Sequence, residues 1–380
     1  MAAQSLDDAD LADLLSPLRA SDERLRSTYP GGVPVQPAHT CYVPADRLRP
    51  SETRRWGDEA RALLAEHAPD AAGLAAALGR ELPEGTWEDL LRLLAERPVH
   101  DLRVDLEDGY GRRPDDEEDA AVDRAVRLLA EDPPPAYGLR VKALEAGSAE
   151  RSARTLDRWV TGLAVAGLSP GTVTLPKVQA PEQVQVAVAL LGALEARTGV
   201  TGTALELQVE TAPAVVDADG RITVPLLLAA GRGRVTGLHF GTYDYTAALG
   251  LSPREQALDA PVADAAKDLL QLSAAARGVA VSDGSSNVLP VGDRAQVHAA
   301  WALHARLVER GTARGLWQGW DLHPGQLVSR WATLSAFFRE RLPEVRARLA
   351  GTATGVADEP ATWAMLDAFS RRAAALGISG

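Results

Sequence analysis

The sequence predicts an α/β fold, a (β/α)8 TIM barrel, on three observations. Eight short β-branched apolar runs recur along the chain, long segments rich in Ala, Leu, Arg and Glu with helical spacing separate them, and nearly every run ends on an ionisable residue. Strand-like runs alternating with helices point to parallel strands joined by crossover helices, and eight such units close a barrel. The runs are "TCYVPA", "DLRVDLE", "YGLRVKA", "GTVTLPK", "ALELQVE", "VTGLHFG", "GVAVSDG" and "GLWQGWDLHP". Residues 1–30 read as an N-terminal helical extension stopped by the breaker "YPGG". The barrel occupies 31–335, with a helical insertion at about 50–98 that is longer than one crossover needs and is read as a cap. Residues 336–380 form a C-terminal helical segment, and "SRWATLSAFFRERLPEVRARLAG" and "EPATWAMLDAFSRRAAALG" are its two amphipathic helices.

Composition narrows the class of function. A chain of 380 residues with 46% hydrophobic content can bury one barrel-sized core. A formal charge of −12 argues against nucleic acid, whose phosphates demand clustered Lys and Arg. The single cysteine, Cys41, allows neither an internal disulfide framework nor a thiolate zinc cage, which fits a reducing cytoplasm. The N-terminal stretch lacks a basic segment followed by an apolar one, and there is no uninterrupted apolar run of about 18 residues. A cytoplasmic protein with no membrane partner is expected.

In a barrel, function sits at the C-terminal rim, where strands end and loops begin. The eight ends carry Asp46 and Arg47, then Asp105, Glu107 and Asp108, then Arg140 and Lys142, then Lys177, Glu210, Asp244, Asp283, and lastly Asp321 and His323. The strand interiors read as apolar. Carboxylates gathered without thiolates and with few histidines are hard oxygen ligands of the kind Mg²⁺ prefers. Singly, each residue has a plainer reading. Glu210 is equally an ordinary strand-end acid, Asp244 a helix N-cap, His323 a packed histidine before a proline turn, and Arg140 and Lys177 structural ion-pair partners. The signal lies in their recurrence at successive strand ends.

The ordered series "CYVPADR", "DLEDGYG", "LRVK", "LPKVQAPEQV", "VETAPAV", "FGTYDYTAALG" and "LHPGQ" resembles the HpcH/HpaI aldolase/citrate lyase family, above all its citrate lyase β-subunit-like branch. The resemblance implies a Mg²⁺-dependent carbon–carbon lyase, with Mn²⁺ as the alternative metal, working through an enolate. It implies Glu210 and Asp244 as metal ligands and Arg140, Asp358, Glu107 and Asp108 as catalytic residues. Arg140 would bind a substrate carboxylate or carbonyl, beside Lys177, Asp46, Arg47 and His323 as further substrate-binding groups. Asp358 of "VADEP" would be the acid/base, supplied to a neighbouring copy's site. A homo-oligomer is implied, a trimer or a multiple of one. The chain departs from the branch at Ala38, His39 and Thr40, where an Arg-Ser pair is usual, at Lys142 in place of Asn, at Gly319 in place of Lys, and in the longer Glu210–Asp244 spacing.

The expected function is therefore a carbon–carbon lyase or aldolase acting on a small oxo- or hydroxy-carboxylic acid. Two alternatives stand beside it. One is CoA-thioester chemistry, as in malyl-CoA or citramalyl-CoA lyase, malate-synthase-like condensation or thioesterase action. The other is a non-catalytic citrate-lyase-β-like binding subunit.

Overall fold

The computed structural model describes residues 5–32, 36–355 and 358–379. Val356 and Ala357 of "VADEP", and the ends of the expected extension and C-terminal segment, lie outside the described residues. Eight parallel strands form the barrel: β1 His39–Pro44, β2 Leu102–Asp105, β3 Tyr137–Arg140, β4 Thr172–Leu175, β5 Ala204–Val209, β6 Val235–Phe240, β7 Ala280–Ser282 and β8 Gly319–Asp321. Each coincides with one of the eight runs. The sheet runs in the order β7-β6-β5-β4-β3-β2-β1-β8. A parallel bridge between Ser282 and Gln318, with Asp283 N donating to Gln318 O at 2.8 Å, closes β7 onto β8. The result is a (β/α)8 barrel.

The helices are α1 Asp8–Thr28, α2 Glu52–His67, α3 Ala71–Leu78, α4 Thr86–Glu96, α5 Asp115–Glu131, α6 Ala149–Val165, α7 Pro181–Thr198, α8 Ala212–Val215, α9 Val224–Ala230, α10 Thr242–Ala248, α11 Pro261–Ala274, α12 Arg294–Ala313, α13 Gln326–Leu349 and α14 Pro360–Ala375. The inserted α2, α3 and α4 pack on α12 and α13 at the barrel's flank. Leu90, Leu93 and Leu94 of α4 are buried there, and Asp89 accepts from Ser335 Oγ at 2.7 Å and Arg339 Nε at 2.8 Å. An amphipathic helix must bury its apolar stripe, and here the stripe faces the outer helices. No residue of the insertion lines the rim cavity described below. The long α13 continues unbroken through residue 335, joining barrel and C-terminal segment.

The barrel interior is polar, contrary to the apolar interior expected from the runs. Successive strand side chains alternate between faces. In β5 that alternation sends Leu205, Leu207 and Val209 outward to the core and Glu206, Gln208 and Glu210 inward. Contacts between strands that are not neighbours show the inward set. Arg103 of β2 donates to Glu206 of β5 at 2.9 Å and to Asp101 at 2.7 Å, and Tyr42 of β1 meets His239 of β6 at 3.5 Å. Gly138 makes room for this centre, because a Cβ there would lie 1.8 Å from Arg103 Nη1.

The same alternation corrects two rim assignments. Trp320 faces inward, so Asp321 points out into the helical layer, where Arg330 Nε and Nη2 bond its two oxygens at 2.6 and 2.9 Å. His39 Nδ1 lies 2.6 Å from Asp321 and His304 Nε2 lies 3.3 Å from it. Burial alone would raise the Asp321 carboxyl, but Arg330 and the two imidazoles outweigh it and hold the group well below the usual range. Asp283 likewise turns outward, to the buried Lys267 ammonium at 3.0 Å. Replacing Asp321 by Ala strands the Arg330 guanidinium without a counter-charge, so urea unfolding of Asp321→Ala is expected to show a loss of about 3–5 kcal/mol. A loss below about 1 kcal/mol would mean that the network contributes no more than a surface pair.

Candidate active site

The end of β3 and the loops after β1, β2, β5, β6, β7 and β8 enclose a cavity of about 310 Å³ at the C-terminal rim. Its base is organised by Asp105, the last residue of β2. This carboxylate accepts Arg140 Nε and Nη2, each at 2.7 Å, and the backbone N–H groups of Glu107 and Gly109 at 2.9 and 3.0 Å. Four donors curl the chain after β2 around one side chain. Lys142 braces the same loop from Leu106 O at 2.6 Å and Gly111 O at 3.2 Å. The fork of Arg140 is thereby spent on Asp105, and a bidentate grip on a substrate carboxylate is closed to it. What remains is Nη1, 3.3 Å from Gln208 Oε1 and 3.4 Å from Glu107 Oε2, with the guanidinium 4.8 Å above the Tyr42 ring.

Glu210, the residue after β5, is 2% exposed. It accepts from Lys177 N at 2.8 Å and from Gln208 Nε2. Gly241 passes so close that a Cβ there would sit 2.4 Å from Glu210 Oε2, so only glycine fits. Burial pushes the Glu210 carboxyl up to about 8, with Asp244 and Glu107 adding to the shift and Arg140 and Lys177 opposing it. Lys177 adopts φ of +49°, an uncommon value for a residue with a Cβ. From there its ammonium meets Glu107, Asp108 at 2.8 Å and the half-buried Asp244 of α10 at 3.3 Å. Burial raises the Glu107 carboxyl. Asp108 is lowered, because Lys177 and Glu107 outweigh burial there.

A positive charge thus already sits among three carboxylates, and a fourth is buried beside it. These carboxylate oxygens are of the donor type that suits a hard divalent cation, for which Glu210 and Asp244 would be the protein ligands. Among the described residues, His39, Cys41 and Asp321 also bring ligand atoms within 4.8 Å of one another. That group does not fit a cation. Both Asp321 oxygens are bonded to Arg330, His39 Nε2 accepts the His100 N–H at 3.1 Å, and burial holds Cys41 as a thiol.

The structure brings together Glu107, Asp108, Arg140, Lys177, Glu210 and Asp244, and Arg47 lines the same cavity. Three expected residues are not brought in. Asp46 turns aside to Arg113 at 2.7 Å. His323 spends Nδ1 on the Gly325 N–H at 3.1 Å, and burial lowers its pKa. Asp358 pairs with Arg348, which lies roughly 33 Å along α13 from its start at the rim, at about 1.5 Å per residue. Arg348 also holds the Asp358 carboxyl below its usual range, so within its own chain Asp358 reaches no rim group. Sequence reasoning gave no role to Tyr42, Gln208, Tyr243, Ser285 and Trp320, all lining residues. Parity could have found Gln208, two residues before Glu210 on the same face.

Solved structures with a similar fold are known. A citrate lyase from Burkholderia xenovorans LB400 is similar with a TM-score of 0.61 and 20% identity, over 92% of this chain and 95% of that one. Malate synthase from Haloferax volcanii, in a magnesium/glyoxylate complex, is similar with a TM-score of 0.50 and 16% identity, over 77% and 74%. At these identities the likeness is one of fold. No curated protein matches the sequence. The chain belongs to the family described as domain of unknown function DUF6986, which matches residues 18–378.

The Glu210 carboxyl makes a signed prediction. Its folded pKa of about 8 exceeds the ordinary 4.5, so the folded state holds this proton more tightly than the unfolded one. The associated stability is full below pH 4.5 and is lost as pH rises through about 8. In chelator, the urea midpoint of wild type is expected to fall relative to Glu210→Gln over that interval. Parallel profiles for the two proteins would contradict the assignment.

Proposed function

We propose that this chain is a Mg²⁺-dependent carbon–carbon lyase or aldolase of a small oxo- or hydroxy-carboxylic acid, Mn²⁺ being the alternative metal. The observation that carries the reading is the meeting, at the C-terminal rim, of acids from the ends of β2, β5 and β6 with Arg140 and Lys177. A cavity of about 310 Å³ is at the small end of ligand pockets. The similar folds, a citrate lyase and a malate synthase with magnesium and glyoxylate, concern the same class of small acids.

Glu210 and Asp244 would hold the cation, which supplies positive charge where an enolate oxygen develops. Cleavage of a hydroxy-acid needs a base to take the hydroxyl proton. The carbon–carbon bond then breaks, its electron pair passes to the adjacent carbonyl as an enolate, and a proton returned to carbon ends the reaction. Glu107 suits the proton transfers, because it stands at the rim beside Arg140 and Lys177 and burial raises its carboxyl. Arg140 presents Nη1 to a single substrate oxygen, held in place by Asp105 below and Tyr42 beside it. Lys177 orients Glu107 and Asp108 until ligands arrive. Tyr42, Trp320 and Leu322 provide the apolar walls.

Calorimetric titration of metal-free protein with Mg²⁺, then with pyruvate, oxaloacetate, glyoxylate or acetyl-CoA, tests this reading. Wild type is expected to bind Mg²⁺ and then an oxo-acid, and Glu210→Ala to bind neither. Oxo-acid binding indifferent to Mg²⁺ and to Glu210 would support a non-catalytic binding subunit instead.

A further inference from the structure

Helix α1 is 21 residues long, and none of them is buried. It is not uniformly polar. Leu11, Leu14, Leu18 and Leu25 recur at alternating spacings of three or four, with Ser21 at the position between Leu18 and Leu25. This is a stripe of period 3.5, the narrow seam by which one helix packs against another, not the wider face that a helix lays on a globular core. Leu14, Leu15, Leu18 and Leu25 are between 48% and 65% exposed. The helix has a capping box at Asp7 and Asp10, yet it also carries Pro17, whose missing N–H leaves the Asp13 carbonyl to the Ser16 hydroxyl at 3.0 Å. A helix of this length with an interior proline is marginal in water unless its apolar stripe is covered.

Charge identifies what covers it. Asp7, Asp8, Asp10 and Asp13 fill the first half of the segment without a base, whereas the second half carries Arg19, Arg24 and Arg26 against Asp22 and Glu23 and is slightly positive. The net charge is negative, which disfavours an anionic lipid surface or a nucleic acid. Two such helices laid antiparallel can bring Asp13 of each, which has no base in its own half, beside Arg26 of the other. In that register Leu14 faces Leu25 of the second copy, Leu18 faces Ser21, and Asp13 lies level with Arg26. The base of the helix is fixed, since Arg277 sits 5.1 Å over the Tyr29 ring and Gly31 N bonds Ala276 O at 2.9 Å. The stripe itself remains open.

We propose that α1 is an association arm that pairs antiparallel with α1 of a second copy of this chain. Pairing of this kind links copies two by two, whatever assembly the barrels form by themselves. Sedimentation of the full chain over a wide concentration range tests it. Wild type is expected to have twice the mass of the Leu14→Asp/Leu18→Asp variant. The near-ultraviolet dichroism should be unchanged, because all eight tryptophans lie outside α1. Asp13→Arg is expected to weaken association and Asp13→Arg/Arg26→Asp to restore it. An unchanged mass in the double-leucine variant, or a wild type that is monomeric at every concentration, would overturn the proposal. Failure of the charge exchange to restore association would overturn the antiparallel pairing.

Discussion

Glu107, Asp108, Asp244 and Glu210 share one rim, and negative charges at such separations repel one another strongly once partly desolvated. What lets them coexist is the Lys177 ammonium, which bonds three of them while its own backbone N–H serves the fourth. Lys177 occupies a left-handed backbone conformation to do this, a strain of the sort that surrounding structure must hold in place. The loop after β4, the curl after β2 and the start of α10 are all positioned with respect to that one charge. The acids thus stand arranged around a positive centre. Glu210 is buried and pushed up to about 8, although Lys177 and Arg140 oppose the shift.

Beneath the rim the polarity continues. Arg103 binds Asp101 and Glu206 at the barrel's centre, and Asp105 and Arg140 form the next layer toward the opening. Interlocked buried ion pairs of this kind do little for net stability, yet they fix side-chain positions where a rotamer change would strand a charge. Arg140 is accordingly an anchored group. Its fork belongs to Asp105, and only its outer nitrogen is turned to the cavity contacts. The outer layer has its own counterpart in Asp321, which ties β1, β8, α12 and α13 together through His39, His304 and Arg330.

The strands were legible because β-branched and apolar residues cluster in short runs between long helical segments, and all eight runs are strands. The rim acids Glu107, Glu210 and Asp244 were legible because loops after barrel strands carry the chemistry. Side-chain parity was the signal left unread. "ELQVE" puts Glu206, Gln208 and Glu210 on one face, and "GWD" sends Trp320 in and Asp321 out. Proximity to a strand end therefore overcounted Asp283 and Asp321 and passed over Gln208. The position of Asp358 depends on where α13 ends, and the flank packing of α2 to α4 depends on which outer helices receive the α4 leucines. Neither is a local property of sequence.

The central claim, that the Glu210–Asp244 rim holds a divalent cation, is tested most directly by anomalous diffraction from crystals grown with Mn²⁺. One anomalous peak between Glu210 and Asp244, with the Lys177 ammonium displaced from Asp244, is the predicted result. Ordered Glu210 and Asp244 side chains with no peak at the rim, or a peak at His39, Cys41 and Asp321 instead, would contradict it.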